Sequence, residues 1–499
     1  MIQLTIDRHT DEAAYRQVYR QLRAAILSGE LPPETRLPPS RELARAAGVA
    51  RVTIVEAYRQ LAAEGFIESR VGAGTFVAEL SAAPADDRPL PFRPLLTEWG
   101  RRAVEVGRSA HAADSARPEI DFGLGRSFAG LFPYGVWRRL LARYLSTDDA
   151  MLSRYGSPAG FLPLRQAVAD YLGRARGVRC AAEQVVIVSG AQQALDILAR
   201  LLLNPGDEVV VETPGYRDAF TLFQLHGARL IGLPVDDEGL PVDRIPADCR
   251  ARLAFVTPTH QFPKGGTMPL ARRLALLGWA RARGALVVED DYDGDLRYDG
   301  HSLAALQGVD RDGRVVYLGT FSKVLFPALR LGYLVLPPPL VTPFVRAKDL
   351  VDRGAPTLTQ AAVADFIAEG HFERHLRHLR RLYGERRAAL AGALGHHLGD
   401  RVRVSPLAAG LHVMLFAEGE VDEARLVRDA AAHGVRVHPG APYHLERPAP
   451  PSLLLGFSGL DEEEIVEGVR RLAEVWPRSE DGNWTGYHPV LQEPASFQP

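Results

Sequence analysis

The 499-residue chain has few cysteines, no long apolar run and no excess of positive charge. Its two cysteines, Cys180 and Cys249, lie far apart and without a CxxC or histidine spacing, which argues against a disulfide framework or a structural zinc site. We expect no metal site. No stretch approaches the ~20 apolar residues of a membrane span, and the N-terminus is unlike a signal peptide. The formal charge of −2 argues against a polybasic nucleic-acid or membrane binder, so DNA binding would need a local patch. We therefore expect a cytoplasmic protein.

Lysine is also scarce, with three lysines against 56 arginines. One of the three is Lys323, which follows Ser322 and lies seven residues before Arg330. Because a guanidinium stays protonated and is a poor nucleophile, arginine cannot replace a lysine that condenses with an aldehyde. An amine beside a hydroxyl and near an arginine suits pyridoxal 5′-phosphate (PLP), an aldehyde that carries a phosphate. On position alone, a solvated surface lysine remains the alternative.

Four segments differ in pattern along the chain. Residues 1–79 are helical and rich in arginine, residues 80–118 are proline-containing and indicate a linker, and residues 477–499 form a polar tail. In residues 119–476, apolar runs alternate with amphipathic helices, which predicts an α/β domain with a mostly parallel sheet covered on both faces. The expected strands are residues 184–188, 208–211, 253–256, 285–288 and 315–318.

The first segment has the pattern of a winged helix-turn-helix domain. A first amphipathic helix ends at Gly29, and a second helix includes residues 41–44. A short turn at Gly48 and Val49 leads to a third helix over about residues 51–64. The residues expected to face inward are Val18, Leu22, Ile26, Ile54, Tyr58 and Leu61.

The third helix and the hairpin after it carry the expected DNA contacts. Arg51 and Thr53, near the start of that helix, would face phosphates and base edges in the major groove. Gly72 and Gly74 would shape the wing hairpin. Residues 1–79 hold ten arginines, no lysine and ten acidic residues, so bulk charge gives no support. A three-helix oligomerisation or protein-binding module is the alternative.

The same segment resembles the DNA-binding domain of GntR-family repressors. The resemblance rests on residues 37–44, 48–53, 57–58 and 64–67. It implies that Arg41, Arg51 and the two wing glycines contact DNA. Pro39 and Ala50 depart from the pattern because the family commonly has serine at these positions, and the loss of a helix-capping hydroxyl costs ~1 kcal/mol per site.

The large segment offers partners for the PLP ring. The pyridine nitrogen must stay protonated if the ring is to withdraw electrons, so an acidic residue should face it from a strand end. Asp290 follows an apolar run and lies 33 residues before Lys323. Tyr292 could donate to the ring 3-oxygen, and Tyr216 could stack on the ring. The alternatives are a magnesium-binding acid cluster at residues 289–291 and an ordinary core position for Tyr216.

A phosphate group needs backbone amides at a helix start and one or two fixed donors. Gly190, Ala191 and Gln192 follow an expected strand and open a helix, so their amide groups can point at the phosphate. Ser322 and Arg330 would complete this site. The order of this glycine turn, the acid and the lysine along the chain supports a cofactor site more strongly than any of them alone.

Residues 119–476 resemble fold-type-I aminotransferases, and the whole chain resembles the MocR/GabR regulators, in which a GntR-like domain is fused to an aminotransferase-like domain. The matching motifs are residues 155–160, 164–165, 258–265, 409–412 and 437–440. The resemblance implies that Tyr155 reaches the PLP phosphate bound in a neighbouring subunit. It also implies a homodimer in which each DNA-binding domain crosses to its partner.

One position departs from the aminotransferase pattern. Leu454 lies where the family usually has the arginine that binds the ligand carboxylate. A guanidinium contributes several kcal/mol to a desolvated carboxylate and a leucine offers no counterpart, so ordinary α-amino acid binding becomes doubtful. Arg217 and Arg436 are open alternatives for supplying the charge.

These observations favour a PLP-dependent, DNA-binding transcription regulator that senses an amine, an amino-acid-like ligand or PLP itself, with vitamin B6 synthesis genes as targets in the last case. The second hypothesis is an aminotransferase with an accessory DNA-binding domain. Leu454 argues against efficient turnover because both half-reactions need an oriented carboxylate. A cofactor-free scaffold ranks last, since it has no use for Asp290, Tyr292, Lys323 and Arg330 together.

Overall fold

The structure is a computed structural model that describes residues 4–79, 95–106, 118–126, 130–147, 151, 153–300, 302–419 and 421–477. The chain folds as two compact units, Met1–Leu95 and Leu96–Pro499. No helix in the described ranges is long and apolar enough to cross a membrane. Apart from residue 477, the tail predicted over residues 477–499 lies outside the described residues.

The smaller unit contains three helices and a three-stranded antiparallel sheet in the order β1-β3-β2. The helices are Ala14–Leu27 (α1), Ser40–Ala47 (α2) and Arg51–Ala63 (α3), and the strands are Arg36–Leu37 (β1), Ile67–Arg70 (β2) and Gly74–Val77 (β3).

The helices of this unit pack through the residues that the periodicity predicts. Val18 and Leu22 of α1 are fully buried against Ile54 and Leu61 of α3. Gly48 ends α2 in the left-handed conformation, with φ 65°, and so permits the short turn into α3. Strands β2 and β3 form the hairpin of the wing. The winged helix-turn-helix prediction is confirmed.

Part of the segment predicted as a linker is helical. Residues 80–94 and 107–117 lie outside the described residues, but Glu98–Glu105 forms a helix (α4). The Thr97 side chain caps its first turn by accepting from the Gly100 amide. Arg102 donates to the carbonyl of Leu225, so α4 packs within the larger unit, which begins at Leu96. The sequence-based linker prediction did not anticipate this helix.

The larger unit is built around a seven-stranded sheet in the order β5-β11-β10-β9-β8-β6-β7. All neighbouring pairs are parallel except those of β11, which is antiparallel to β5 and β10. The strands are Val185–Val188 (β5), Glu208–Thr213 (β6), Arg229–Pro234 (β7), Leu253–Val256 (β8), Leu286–Asp291 (β9), Val315–Thr320 (β10) and Gly332–Val335 (β11). The α/β prediction with a mostly parallel sheet is confirmed, and β7 and β11 are the strands it lacked.

Helices cover both faces of this sheet because the central strands are apolar on both sides. They are Tyr134–Thr147 (α5), Leu162–Arg176 (α6), Ala191–Leu202 (α7), Arg217–Leu225 (α8), Leu270–Arg283 (α9), Leu306–Val309 (α10), Pro338–Asp352 (α11) and Thr357–Ala368 (α12). One short strand, Ile120–Asp121 (β4), precedes them and pairs with a strand from the end of the unit.

A long helix, His371–His397 (α13), leads from the large sheet to a smaller antiparallel sheet in the order β12-β13-β16-β15. This part also contains the helices Glu423–Ala432 (α14) and Glu462–Val475 (α15). Its strands are Val402–Val404 (β12), His412–Ala417 (β13), Val435–Arg436 (β14), His438–Pro439 (β15) and Ser452–Gly456 (β16), of which β14 pairs with β4.

Candidate cofactor and DNA-binding sites

The predicted cofactor residues follow the carboxyl ends of parallel strands, where such sheets bind ligands. Asp290 lies in β9, Lys323 follows β10, and Gly190 links β5 to α7. Because these ends meet at one edge of the sheet, residues more than 100 positions apart converge there.

Lys323 is partly buried, and its ammonium group packs against a glycine. A Cβ added to Gly125 would lie 2.9 Å from Lys323 Nζ, and Gly125 itself has φ 69°, so both space and backbone favour glycine. Burial lowers the pKa of Lys323, while the carboxyl groups of Asp293 and Asp290 oppose this shift. A lowered pKa raises the share of neutral amine, the form that attacks a carbonyl.

Asp290 is buried and lies opposite Leu318 in the β9–β10 register. Its carboxyl group has no hydrogen bond to any residue that the structure describes. Burial and the neighbouring carboxyl groups of Asp291 and Asp293 raise the pKa of Asp290 to about 8, and Lys323 opposes the rise. A protonated pyridine nitrogen would supply the cationic partner that this carboxyl group lacks, so Asp290 fits PLP.

Tyr292 belongs to a buried cluster that the sequence did not reveal. Its hydroxyl lies 2.8 Å from His260 Nδ1, and His260 Nδ1 lies 2.9 Å from Asp293 Oδ2. Burial, followed by the charge of Asp293, holds the pKa of Tyr292 well above its usual range, so the phenol stays protonated. The cluster therefore fixes a donor beside Asp290. The one sequence signal for His260 is its place in the motif at residues 258–265.

The start of α7 and Arg330 form a site suited to an anion. Gly190 is the N-cap of α7, and the amides of Ala191 and Gln192 in its first turn have no intrahelical acceptor. Arg330 Nη2 lies 3.1 Å from the Ser189 carbonyl oxygen. A Cβ at Gly190 would lie 3.1 Å from the same nitrogen, so the guanidinium is adjacent to the helix end.

Two of the remaining predicted residues, Ser322 and Tyr216, lie near this site, and the third, Tyr155, is exposed. The Ser322 amide donates to Thr320 Oγ1 at 3.1 Å, which fixes the turn into Lys323. Tyr216 is half-buried, and its hydroxyl accepts from Gln192 Nε2 at 3.1 Å, which brings its ring to the start of α7. Tyr155 is 90% exposed, and its predicted role in a neighbouring subunit stays a prediction.

The position of the usual carboxylate-binding arginine is packed hydrocarbon. Leu454 is fully buried in β16, lies opposite Met414 of β13, and packs with Phe416. Arg436 is an unsuitable replacement because its Nη1 lies 3.3 Å from Asp121 Oδ2. Arg217, half-buried at the first position of α8, stays an open alternative.

His412 is a further buried polar residue that sequence reasoning did not assign. Its Nε2 has no hydrogen-bond partner in the described part of the chain. Burial, followed by the charges of His260 and Lys323, holds the pKa of His412 well below its usual range. The imidazole is therefore neutral, and it can serve a ligand as a hydrogen-bonding group without charge.

In the smaller unit, Arg41 and Arg51 are exposed at neighbouring helix starts, with Arg51 Nε 3.3 Å from Ser40 Oγ. Thr53 is half-buried in the first turn of α3. Neither Pro39 nor Ala50 makes a side-chain cap, so these helix starts leave amides free for phosphate oxygens.

The wing carries its two glycines at an exposed turn. Gly72 and Gly74 have φ 76° and 123°, values that non-glycine residues seldom adopt. A Cβ at Gly74 would also lie 3.0 Å from Arg36 Nε. Arg70, at the turn end of β2, pairs with Glu34, which precedes β1, with Arg70 Nη1 2.7 Å from Glu34 Oε2.

Comparison with known families and proteins agrees with both units. Residues 14–77 match the family of bacterial regulatory proteins of the gntR type, and residues 127–472 match aminotransferase class I and II. The probable rhizopine catabolism regulatory protein MocR of Rhizobium meliloti is 39% identical over 478 residues, which cover 95% of this chain and 96% of that protein. The pyridoxine biosynthesis transcriptional regulator PdxR of Corynebacterium glutamicum is 31% identical, over 93% and 96% of the two chains.

A solved structure extends the comparison to the fold. LysN, an α-aminoadipate aminotransferase of Thermus thermophilus crystallised with N-(5′-phosphopyridoxyl)-L-leucine, superposes with a TM-score of 0.70 at 32% identity. The match covers 76% of this chain and 96% of LysN. With its gntR-type domain followed by an aminotransferase class I and II domain, the chain belongs to the MocR-type transcriptional regulators.

Proposed function

We propose that this regulator binds PLP through Lys323 and uses the loaded domain to sense a small molecule while the smaller unit binds operator DNA. The observation that carries the proposal is the carboxyl group of Asp290, which is buried beside Lys323 without a hydrogen-bond partner among the described residues. PLP, when bound, supplies an aldehyde and an electron-withdrawing ring. DNA as a partner also favours a cytoplasmic location.

Each residue of the site has a distinct task toward PLP. Lys323 is the nucleophile that holds the aldehyde carbon, and Asp290 pairs with the protonated pyridine nitrogen. Tyr292, kept protonated by its surroundings, donates to the ring oxygen. The amides that open α7 and the hydroxyl and guanidinium of Ser322 and Arg330 hold the phosphate.

Leu454 limits the class of effector. An α-amino acid would place its carboxylate against fully buried hydrocarbon, where no cation is available from Arg436. An unpaired carboxylate there would cost several kcal/mol in desolvation. We therefore favour PLP itself or a primary amine that needs no carboxylate anchor. The relatives PdxR and MocR are named for the regulation of two different processes, pyridoxine biosynthesis and rhizopine catabolism.

The proposal includes a homodimer with exchanged DNA-binding domains. Tyr155 is exposed within one chain, which leaves its ring free to enter the site of a second copy. Light scattering should give twice the 54.6 kDa mass of one chain. A monomer that binds both PLP and DNA would refute the dimer without affecting the cofactor assignment.

An aminotransferase activity is the second candidate because the residues toward PLP are complete. Regulator and enzyme differ in what happens after an amine binds. Steady conversion of an amino donor to its keto product would support the enzyme. A change in DNA affinity without product release would support the sensor.

The decisive experiment follows visible absorption of the purified chain as PLP is added. We expect wild-type protein to acquire the band of a lysine-bound aldehyde, and Lys323→Ala to lack it. Lys264→Ala is the matched control, since Lys264 is also partly buried, donates to the Val235 carbonyl at 3.1 Å and lies 4.0 Å from Asp237 Oδ1. Retention of the band in Lys323→Ala would refute the assignment. Titration of amines and PLP against upstream DNA, read by fluorescence anisotropy, then identifies the effector class.

A further inference from the structure

A cavity of about 630 Å³ lies outside the residues assigned to PLP. It is bounded by the loop that follows β9 and by the middle of α13. The loop contributes Arg297 and Tyr298, and the helix contributes Arg380, Arg381 and Arg387. Four arginines thus lie on one concave surface of the larger unit, and the proposed function does not use them.

Two of these arginines already have carboxylate partners. Arg381 Nη1 lies 2.9 Å from Glu385 Oε1, and Arg387 Nη1 lies 2.6 Å from Asp299 Oδ2. Their charges are thus largely balanced within the wall. They contribute shape and hydrogen-bonding groups more than net charge.

The other two arginines have no ion pair with any residue in the described ranges. Arg380 Nε donates to the carbonyl of Asp295 at 2.6 Å, and Arg297 Nε donates to the carbonyl of Asp299 at 2.8 Å. Arg297 Nη1 is buried without a hydrogen-bond partner among the residues that the structure describes. The Asp295 carboxyl group does not neutralise Arg380 by direct contact; it accepts from the Tyr171 hydroxyl at 2.5 Å. Asp295 lines the same cavity and interacts with the Arg380 charge at longer range, so two guanidinium groups remain without a direct carboxylate partner in the described ranges.

The cavity also has a rigid aromatic wall. The Arg387 guanidinium lies over the Tyr298 ring, 5.3 Å from its centroid. The Tyr298 hydroxyl donates to the carbonyl of Gly410 at 2.6 Å, which fixes the ring. A planar ligand body can pack beside this pair while an anionic group reaches Arg297 and Arg380.

We propose that this cavity binds a phosphate-bearing small molecule, with Arg297 and Arg380 as its anion contacts. Guanidinium groups bind phosphate oxygens through paired, charge-assisted hydrogen bonds. The volume lies within the roughly 300–1,000 Å³ typical of small-molecule sites and exceeds the needs of a lone phosphate ion. The site gives the regulator a second ligand input, separate from the lysine site.

The test uses the full-length chain saturated with PLP, so that the phosphate site at Arg330 is filled. Pyrophosphate and AMP are titrated by calorimetry at low salt. We expect one binding site per chain, with affinity at least tenfold weaker in Arg380→Ala. Arg380→Lys, which keeps a point charge, should recover part of the loss. Arg377→Ala, an exposed arginine on the same helix, should stay within twofold of wild type.

A second variant, at the exposed edge of the cavity, keeps the test informative if Arg380→Ala does not fold. Arg381 is exposed, so Arg381→Glu should lower the thermal transition only slightly, through repulsion from Glu385, and still weaken the anions at least threefold. Absence of saturable binding, or equal affinity in wild type and Arg380→Ala, would overturn the proposal. So would displacement of pyrophosphate by duplex DNA together with an equal loss of DNA affinity in Arg380→Ala, since the ligand would then be DNA phosphate.

Discussion

We expect the buried carboxyl group of Asp290 to destabilise the folded protein when PLP is absent. Its carboxyl group is buried beside two other acidic residues and has no hydrogen-bond partner in the described part of the chain. Asp290→Asn keeps the shape of the side chain and removes its charge. We expect this variant to stabilise the cofactor-free larger unit at neutral pH and to weaken PLP binding.

The size of the effect follows from the pKa of Asp290, which burial raises to about 8. An unfolded aspartate titrates near ~3.9, so between these pH values the folded state holds a proton that the unfolded chain has released. Stability therefore falls as the pH rises from about 4 to about 8. At pH 7 the full pKa shift would lower the free energy of unfolding by about 4 kcal/mol relative to acidic pH. Relaxation of the protein around the charge reduces this loss to about 1–3 kcal/mol.

The assay compares thermal unfolding of cofactor-free wild type and Asp290→Asn from pH 5 to pH 8. The variant should exceed wild type by a few degrees at pH 8, and the gap should narrow toward pH 5. Asp248→Asn, an exposed substitution, should show no pH-dependent gap. In Asp290→Asn, the Kd for PLP should rise at least tenfold because an amide, which has no negative charge, cannot form an ion pair with the pyridine nitrogen.

A gap that is absent at every pH, or that widens toward acid, would refute this reasoning. The first result would mean that Asp290 has an ordinary pKa in the folded chain. The second would mean that the carboxylate is stabilised by a cation or donor. Normal PLP affinity in Asp290→Asn would separately remove Asp290 from the cofactor site.

Three further substitutions test the other sites. Gly190→Ala should lower PLP affinity about tenfold, because φ is 100° and the added Cβ would crowd the Arg330 guanidinium. Gly206 also has a positive φ, but a Cβ added there would meet no atom within 4 Å, so Gly206→Ala is the control. An equal loss of PLP affinity in the two variants would contradict the steric argument. Arg51→Ala should weaken binding to upstream DNA and lower the salt slope by about 1 in anisotropy titrations, whereas the exposed Arg59→Ala should change neither. Leu454→Ala should cost about 2–5 kcal/mol in urea unfolding, and a cost below about 1 kcal/mol would contradict its packed position.

The sequence predicted the parts of the fold that local pattern controls. Gly48 marks the end of α2 because left-handed backbone favours glycine, and Val18 and Leu22 reach the core through helical spacing. The central strands are continuous apolar runs, which only a sheet buried on both faces accommodates. The edge strand β7, Arg229–Pro234, escaped notice because one of its six residues is buried and the others are half-buried or exposed.

The sequence predicted those residues of the candidate site that lie at the ends of predicted strands. Lys323, Asp290 and Gly190 each follow or end a strand, and a parallel sheet gathers such residues at one edge. Contacts between distant loops lack such a signal. The pairing of Arg436 with Asp121 joins residues 315 positions apart, and it depends on β4 lying beside β14.

The two halves of the site carry different implications for function. In the proposed PLP site, the residues that face PLP are an amine, an acid, a protonated phenol and an anion-binding helix start, and they would leave chemistry at the lysine available. The residues considered for binding the ligand carboxylate offer no free positive charge: Leu454 is apolar, Arg436 is already paired with Asp121, and His412 is neutral. Catalytic transamination needs a carboxylate held in both half-reactions, whereas sensing needs only different affinities in two states. The same pocket can therefore support regulation without supporting turnover.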